Sequence, residues 1–181
     1  MADDVQSLQF TNALEAGYPT FLAEYDQLAK EEFCPWPEPG AYSGEWLLFP
    51  LIPGRHTRLL RRLDGSPVDL DANQRRCPES TRLLRGTPGL AEAAFSRLEP
   101  GAHVFSHVDE IEEDKTRYHL GLIIPEATAT TVRIGDRQAR WREGGCLKFE
   151  RELPHETANL AASPRVVLIC DFQHPGRAHQ R

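Results

Sequence analysis

The chain has 181 residues, of which 40% are apolar and 27% are charged, a composition typical of a globular protein. Its formal net charge is −6 and its basic residues form no stripe, so we expect no nucleic-acid partner. No apolar run approaches the roughly 18 residues of a membrane span, and residues 1–10 lack the features of a signal peptide. The sequence therefore predicts a cytoplasmic protein with no membrane partner. Its four widely separated cysteines favour reduced thiols over a disulfide framework.

The first half of the chain predicts helices, loops and one strand. Residues 9–33 place apolar side chains at helical intervals of three and four: Phe21, Leu22, Tyr25 and Leu28. Segment 34–44 is a loop rich in proline and glycine, and 45–54 indicates a strand closed by a turn. The polar and basic segment 55–76 is typical of a surface excursion, either a solvated face or a mobile lid, and 77–89 predicts a short helix.

From about residue 90 the sequence predicts strands. Short segments such as "AHVFSHVDE", "RYHLGLIIP" and "RVVLICDF" recur at regular intervals between turn residues. "TTVRIGDRQARW" is typical of a hairpin with Gly135 and Asp136 at its tip. About seven or eight short strands preceded by helices predict a mainly β fold, an antiparallel sandwich or jelly roll with helical cover.

Potential metal ligands cluster in "PGAHVFSHVDE", residues 100–110. His103, His107 and Asp109 occupy odd positions, so an extended backbone would point all three side chains to one face. An imidazole and a carboxylate two residues apart can hold one cation between them. This spacing alone leaves two alternatives open, which are surface residues without a metal and a zinc site through His103 and His107.

A third ligand would have to come from another strand, and the candidates are His119, His155 and His174. Two histidines and one carboxylate on one face of a metal form the facial triad of non-haem Fe(II) oxygenases, which keeps coordination positions open. Arg165 heads the most apolar predicted strand, where a buried cation needs an anionic partner. A dicarboxylate cosubstrate would suit the two-pronged guanidinium, and a salt bridge to an acidic residue of the chain is the alternative.

Several segments together resemble the aspartyl/asparaginyl β-hydroxylase family of Fe(II)- and 2-oxoglutarate-dependent dioxygenases. They are "CPESTRLL", "FSRLEPGAHVFSH", "RYHLGLIIP", "WREGGCLKFE", "PHET" and "RVVLICDFQHP", and their order and spacing match from about Trp46 to Pro175. The resemblance implies a double-stranded β-helix (jelly-roll, cupin-like) core over 46–175. We expect a single domain, 1–181, in which 1–45 forms a helical cover. Fe(II), 2-oxoglutarate and O₂ are the implied cofactor and cosubstrates.

The resemblance also implies roles for individual residues. His107 and His155 match the iron-binding histidines. Ser96 and Arg165 match positions that hold the distal carboxylate of 2-oxoglutarate, and His119 matches a position near its other carboxylate. No catalytic side chain is expected beyond the metal centre, because the bound iron and cosubstrate would supply the oxidising chemistry.

Arg117 matches a family position that grips the acidic group of the substrate. We therefore expect β-hydroxylation of an aspartate- or asparagine-like unit, whether free, carrier-bound or in a peptide. The alternatives are the same chemistry on another small molecule or an acyl chain, a non-catalytic cupin-like metal-binding protein, and a zinc hydrolase of cupin-like build. The basic segment 55–62 is interpreted as a solvated face, with contact to an acidic carrier protein or a phosphate as the alternative.

One position departs from the family pattern. The animal members of the family have glycine two residues after the first iron histidine, whereas this chain has Asp109. We therefore expect a triad of His107, Asp109 and His155. The loop that follows is one residue longer than in the animal pattern, which would allow Asp109 to turn outward instead.

Overall fold

The computed structural model describes residues 11–109, 115–126, 129–149, 151 and 153–173. Within these residues two antiparallel sheets face each other and helices cover the larger sheet. The predicted mainly β fold is confirmed. All four cysteines are free thiols, as predicted. Among the described helices, none combines the length and apolar character that a membrane crossing requires.

The strands are short and numerous. They are β1 (Cys34–Pro35), β2 (Tyr42–Ser43), β3 (Trp46–Ile52), β4 (Leu90–Leu98), β5 (His103–His107), β6 (Lys115–Ile123), β7 (Thr130–Ile134), β8 (Arg137–Ala139), β9 (Cys146–Phe149), β10 (His155–Asn159) and β11 (Arg165–Gln173). Residues 11–16 are helical, and the helices that follow are α1 (Tyr18–Tyr25), α2 (Leu70–Arg76) and α3 (Pro78–Arg85). Single 3₁₀ turns occur at Lys30–Glu32, Pro39–Ala41 and Thr57–Leu59.

The order of the strands identifies the architecture. The larger sheet has the order β1-β3-β4-β11-β6-β9, and the smaller has the order β2-β5-β10-β7-β8. From β4 onward successive strands alternate between the two sheets, except at the β7–β8 hairpin. This alternation winds the chain into a double-stranded β-helix, so the predicted jelly-roll core is confirmed.

The central strand β11 separates an apolar core from the space between the sheets. Its even-numbered residues from Val166 to Phe172 join the main hydrophobic core beneath the helices. Successive side chains of a strand point to opposite faces, so the odd-numbered residues face the smaller sheet. Val167 and Ile169 accordingly pack with side chains of β7. Arg165 and Asp171 share this inner face, where the candidate site lies.

The helical cover is fixed to the larger sheet by apolar and polar contacts. Phe21 and Tyr25 of α1 are buried in the main core. The carboxylate of Glu24 accepts hydrogen bonds from the backbone N–H groups of Glu79 and Ser80, at 2.9 and 2.8 Å. These two N–H groups lie in the first turn of α3 and have no partner within the helix, so Glu24 ties α1 to α3.

Gly121 in β6 allows the loop before β9 to lie against the strand. A Cβ atom added at Gly121 would lie 2.4 Å from the carbonyl oxygen of Arg142, a backbone atom that cannot rotate away. The Gly121 carbonyl also accepts a 2.9 Å hydrogen bond from Gly144. Glycine within a strand commonly marks such a close backbone approach.

Gly121→Ala is therefore expected to lower the free energy of unfolding by about 1–3 kcal/mol, because the loop must move to admit the methyl group. Denaturant titration followed by circular dichroism measures the change. Gly40→Ala is the matched control, since a Cβ there meets no atom within 4 Å and should change stability by less than about 0.5 kcal/mol. Equal losses in the two variants would contradict the proposed packing role of Gly121.

Candidate metal centre

Strand pairing brings two histidines and one carboxylate together. β10 pairs with β5 in the smaller sheet so that His155 lies opposite His107, and Asp109 follows two residues after His107. One possible ligand atom from each residue lies within 4.8 Å of the other two. Asp109 Oδ1 is 3.5 Å from His107 Nε2 and 3.9 Å from His155 Nε2. The three residues predicted as a triad therefore converge on one point.

Backbone carbonyls fix the orientation of both imidazoles. Nδ1 of His107 lies 2.7 Å from the carbonyl oxygen of Phe105, and Nδ1 of His155 lies 2.9 Å from that of Leu153. A carbonyl oxygen can only accept, so each Nδ1 donates, and in the neutral tautomer each Nε2 keeps a lone pair. Metal-binding histidines are commonly oriented by such outer hydrogen bonds.

His103 does not join the cluster, and the prediction that it shares a face with His107 and Asp109 was wrong. The β5–β10 register shifts between His155 and Thr157, which pair with His107 and Val104. Three residues of β5 are thus spanned by two residues of β10, which is a β-bulge in β5. The bulge turns the side chains on its N-terminal side, including His103, to the opposite face of the sheet. His103 Nε2 instead lies 4.0 Å from Glu156 Oε2. His174, another candidate ligand, lies outside the described residues.

Two arginines hold Asp109 in place through its second oxygen. Oδ2 accepts hydrogen bonds from Arg117 Nη1 at 2.9 Å and Arg151 Nε at 2.8 Å, while Oδ1 faces the histidines. Burial alone would raise the pKa of Asp109, but the hydrogen bond with His107 and the two guanidinium charges hold it far below its ordinary value. Asp109 therefore turns inward, and its carboxylate is ionised and oriented.

Arg117 and Arg151 also contact a second buried carboxylate, Asp171 of β11. Arg117 donates to both oxygens of Asp171, at 2.7 and 2.8 Å, and Arg151 Nη1 lies 3.4 Å from Oδ2. Burial and the negative charge of Asp171 raise the pKa of nearby Glu92. The charges of the two arginines are thus balanced by Asp109 and Asp171, and this network supports one side of the candidate metal centre.

Sequence reasoning missed Arg151 and Asp171. The sequence did contain a signal for Asp171, because it is an acidic residue in an apolar strand. It lies six positions after Arg165, so both side chains point to the same face of the strand. By the reasoning applied to Arg165, a charge in that position needs a partner. Arg151 lies in the short connection between β9 and β10, where no periodicity relates a side chain to the site.

Arg165 is a buried cation whose Nε and Nη1 atoms have no hydrogen-bond partner in the part of the chain that the structure describes. It is 2% exposed. Its guanidinium carbon lies 4.7 Å from the centre of the Trp141 ring. Burial lowers the pKa of Arg165 to about 9. The sequence raised a salt bridge as one of two alternatives, and no carboxylate of the described residues forms one with Arg165.

Other polar groups near Arg165 are similarly unpaired. Both ring nitrogens of buried His119 lack partners in the described chain, as do Trp141 Nε1 and Thr157 Oγ1. Burial lowers the pKa of His119 well below its ordinary value, so the ring is neutral near pH 7. Buried polar groups are normally hydrogen-bonded. An anion with several acceptor oxygens, such as a dicarboxylate, fits this set of donors.

Aromatic rings lie between Arg165 and the candidate metal ligands. The His119 ring stacks on Phe149 with 4.4 Å between centroids, and Trp141 lies 6.2 Å away on a nearly parallel plane. Phe149 also meets His155 edge-on at 5.0 Å. The last residue predicted near the cosubstrate, Ser96, is buried in β4, and its Oγ accepts a 3.0 Å hydrogen bond from Trp46 Nε1.

A cavity of about 260 Å³ is lined by two of the three candidate ligands, His107 and Asp109. His107, Asp109, Arg117 and Arg151 contribute to its polar side. Much of the rest is apolar or aromatic and includes Trp36, Trp46, Leu48, Pro50, Ile52, Leu60 and Ile169. His56, which the sequence gave no reason to select, also lines it. The cavity has the size and the mixed lining of a small-molecule site.

Solved structures with a similar arrangement include the cupin domain of Cnp3 from Schizosaccharomyces pombe. The two chains are 8% identical, the match covers 74% of this chain and 68% of that one, and the TM-score is 0.44. The assignment of the jelly-roll architecture rests on the strand pairings described above.

Two curated relatives share more sequence. An ornithine lipid ester-linked acyl 2-hydroxylase from Rhizobium tropici is 35% identical over 118 residues, which cover 65% of this chain and 42% of the relative. The human aspartate beta-hydroxylase domain-containing protein 1 is 31% identical over 174 residues, which cover 91% of this chain and 42% of the relative. The chain therefore spans less than half the length of these relatives.

The family model for aspartyl/asparaginyl beta-hydroxylases matches residues 15–175 of this chain. The match includes the six residues for which the resemblance implied a role, which are Ser96, His107, Arg117, His119, His155 and Arg165. It also includes Asp109, where this chain departs from the animal members. The chain therefore belongs to the aspartyl/asparaginyl β-hydroxylase family.

Proposed function

We propose that the protein is an Fe(II)- and 2-oxoglutarate-dependent dioxygenase. The observation that carries the proposal is the convergence of His107, Asp109 and His155, two imidazoles and one carboxylate within 4.8 Å of one another. This donor set suits non-haem Fe(II) and leaves positions for other ligands. When bound, iron and 2-oxoglutarate would supply the oxidation of a C–H bond by O₂, with 2-oxoglutarate converted to succinate and CO₂.

The protein's own residues would orient the metal and the cosubstrate. Nε2 of both histidines and Oδ1 of Asp109 are the proposed metal ligands. Arg165 is the proposed partner of the distal 2-oxoglutarate carboxylate, with Ser96 beside it and His119 toward the metal. The unpaired donors of Arg165 support this role, because a bound carboxylate would satisfy them.

An aspartate- or asparagine-like unit is the first substrate class that we propose, and its β carbon is the proposed site of hydroxylation. Arg117 and Arg151 present cationic groups to the cavity beside the candidate metal centre. Three N–H groups of Arg117 are engaged by Asp109 and Asp171. A guanidinium has five N–H groups, so two have no hydrogen-bond acceptor among the described residues, although Nη2 also lies 3.9 Å from Glu92 Oε1. These two groups are the proposed donors to a substrate carboxylate.

An acyl chain is the second substrate class, and the lining of the cavity supports it. The wall away from the metal is formed by aliphatic and aromatic side chains, including Leu48, Ile52 and Leu60. Such a wall can hold a hydrocarbon chain through apolar burial. The Rhizobium tropici relative is named for the hydroxylation of a lipid acyl group, which is consistent with this alternative.

Purified protein supplied with Fe(II), ascorbate, 2-oxoglutarate and air is expected to form succinate. Mass spectrometry should detect the gain of one oxygen atom in the true substrate, when amino acids, carrier-bound amino acids, peptides and acyl lipids are screened. The His155→Ala variant should form no succinate above background. The proposal would be contradicted if this variant formed succinate at the wild-type rate. It would also be contradicted if the wild-type protein retained zinc and hydrolysed candidate substrates without consuming 2-oxoglutarate.

A further inference from the structure

Segment 55–63 has one face toward the cavity and one toward solvent. His56, Thr57 and Leu60 line the cavity, and Leu60 is buried. Leu59 and Leu63 point outward, with 54% and 52% of their surface exposed. Large apolar side chains at the rim of a cavity are a frequent mark of an interaction surface.

The backbone of this segment is well defined by hydrogen bonds. Thr57–Leu59 forms a 3₁₀ turn, and residues 61–67 form a tight turn in which the N–H of Arg62 donates to the Ser66 carbonyl at 2.8 Å. Leu63 lies in this second turn. Leu63 lies four positions after Leu59, so their Cα atoms are at most about 14 Å apart. Both leucines therefore belong to one small surface.

Positive charge accompanies the two leucines. Arg58 and Arg61 are exposed, and no carboxylate of the described residues lies within 4.0 Å of either guanidinium. Arg61 Nη1 donates to the backbone carbonyls of Arg58 and Leu60, at 3.0 and 2.8 Å, which orders the side chain without neutralising it. Asp64 is an exposed acid of the same turn. This local excess of positive charge contrasts with a net charge of −6 for the whole chain.

We propose that Arg58, Leu59, Arg61 and Leu63, the basic–apolar rim, dock the protein on the surface of an anionic lipid bilayer. The leucines would enter the interfacial region and the arginines would contact lipid phosphates, a combination that produces reversible binding to anionic membranes. A bilayer fits better than an acidic protein, since it accepts protruding leucines without a shaped complementary pocket. Docking of this kind would place the mouth of the cavity at the membrane surface.

The prediction of no membrane partner rested on the lack of a membrane-spanning apolar run in the sequence, whereas the basic–apolar rim would bind the surface of a bilayer. The inference concerns a surface and does not depend on the proposed oxygenase activity. Vesicle binding can be measured on the whole chain without iron or 2-oxoglutarate, so the two proposals succeed or fail separately.

Co-sedimentation with vesicles tests the proposal. The protein is expected to bind vesicles of equal parts phosphatidylglycerol and phosphatidylcholine, to bind pure phosphatidylcholine much less, and to dissociate as salt is raised. The double variant Leu59→Ser, Leu63→Ser should weaken binding by roughly tenfold or more, because two apolar anchors are lost. Arg58→Glu should weaken binding to the anionic vesicles and reduce its salt dependence.

Leu160→Ser is the matched control. Leu160 is 72% exposed and follows β10 at the end of the strand opposite to His155, so its loss should leave vesicle binding unchanged. Melting temperatures of all variants would show that each is folded. Failure of the wild-type protein to bind the anionic vesicles would overturn the proposal, as would equal binding by the double leucine variant. Binding to an acidic protein in place of vesicles would also overturn it.

Discussion

Replacing Asp109 by glycine is expected to weaken Fe(II) binding at least about tenfold and to lower succinate formation in parallel. Two effects act in the same direction. The variant loses the carboxylate oxygen nearest to both histidines, at 3.5 and 3.9 Å. It also leaves the charges of Arg117 and Arg151 less balanced, and these repel a cation at the site. Calorimetric titration with metal and a succinate assay measure the two outcomes.

Companion variants separate the ligand role from the charge. Asp109→Asn keeps an oxygen at the site but removes the negative charge. Its metal affinity is therefore expected to lie between those of the wild type and Asp109→Gly. Asp136→Asn, at the exposed tip of the β7–β8 hairpin, is the matched control and should behave as wild type. Thermal melting without metal would show whether any loss arises from unfolding. Full turnover and metal affinity in Asp109→Gly would favour a centre with two histidine ligands over the triad.

The sequence predicted the parts of the fold that depend on local periodicity. The strands carry alternating or continuous apolar residues, and α3 begins at Pro78 and ends at Gly86, the positions at which these residues favour helix boundaries. Helix α2 was missed within the segment interpreted as a surface excursion. Its local signal was Asp69, whose carboxylate caps the N–H of Ala72 at 2.9 Å.

The site depended on long-range pairing that local patterns do not contain. The two-residue spacing in the sequence linked His107 to Asp109. It left His119, His155 and His174 as candidates for the third ligand. The pairing of β10 with β5 brings His155 opposite His107, while His119 lies on β6 of the other sheet. The family resemblance had implied the same pair. His103 was placed on the wrong face because a single extra residue in β5 reverses the alternation, and nothing in "HVFSH" marks the bulge.

Replacing Arg165 by methionine is expected to have opposite effects on the ligand-free protein and on cosubstrate binding. Without a ligand, wild-type Arg165 buries a charge whose Nε and Nη1 have no acceptor among the described residues, and the Trp141 ring offers a partial partner. Methionine has a similar length but no charge or hydrogen-bond donor to bury. The free energy of unfolding should therefore rise by about 1–3 kcal/mol. In the same variant, the apparent affinity for 2-oxoglutarate should fall by a hundredfold or more, since about 3 kcal/mol is typical for a charged pair.

Thermal melting with and without 2-oxoglutarate, in the presence of a redox-inert divalent metal, measures both effects in one experiment. Wild-type protein should melt at a higher temperature when 2-oxoglutarate is added, because a ligand that binds only the folded state stabilises it. Arg165→Met should have a higher melting temperature than wild type without 2-oxoglutarate, and adding 2-oxoglutarate should not raise it further. Arg82→Met is the matched control. Among the described residues, this exposed arginine of α3 forms its ion pair with exposed Glu79, so its replacement should change neither the melting temperature nor the response to 2-oxoglutarate. If Arg165→Met melts below wild type and still responds to 2-oxoglutarate, Arg165 has a structural partner in the folded chain and the carboxylate clamp lies elsewhere.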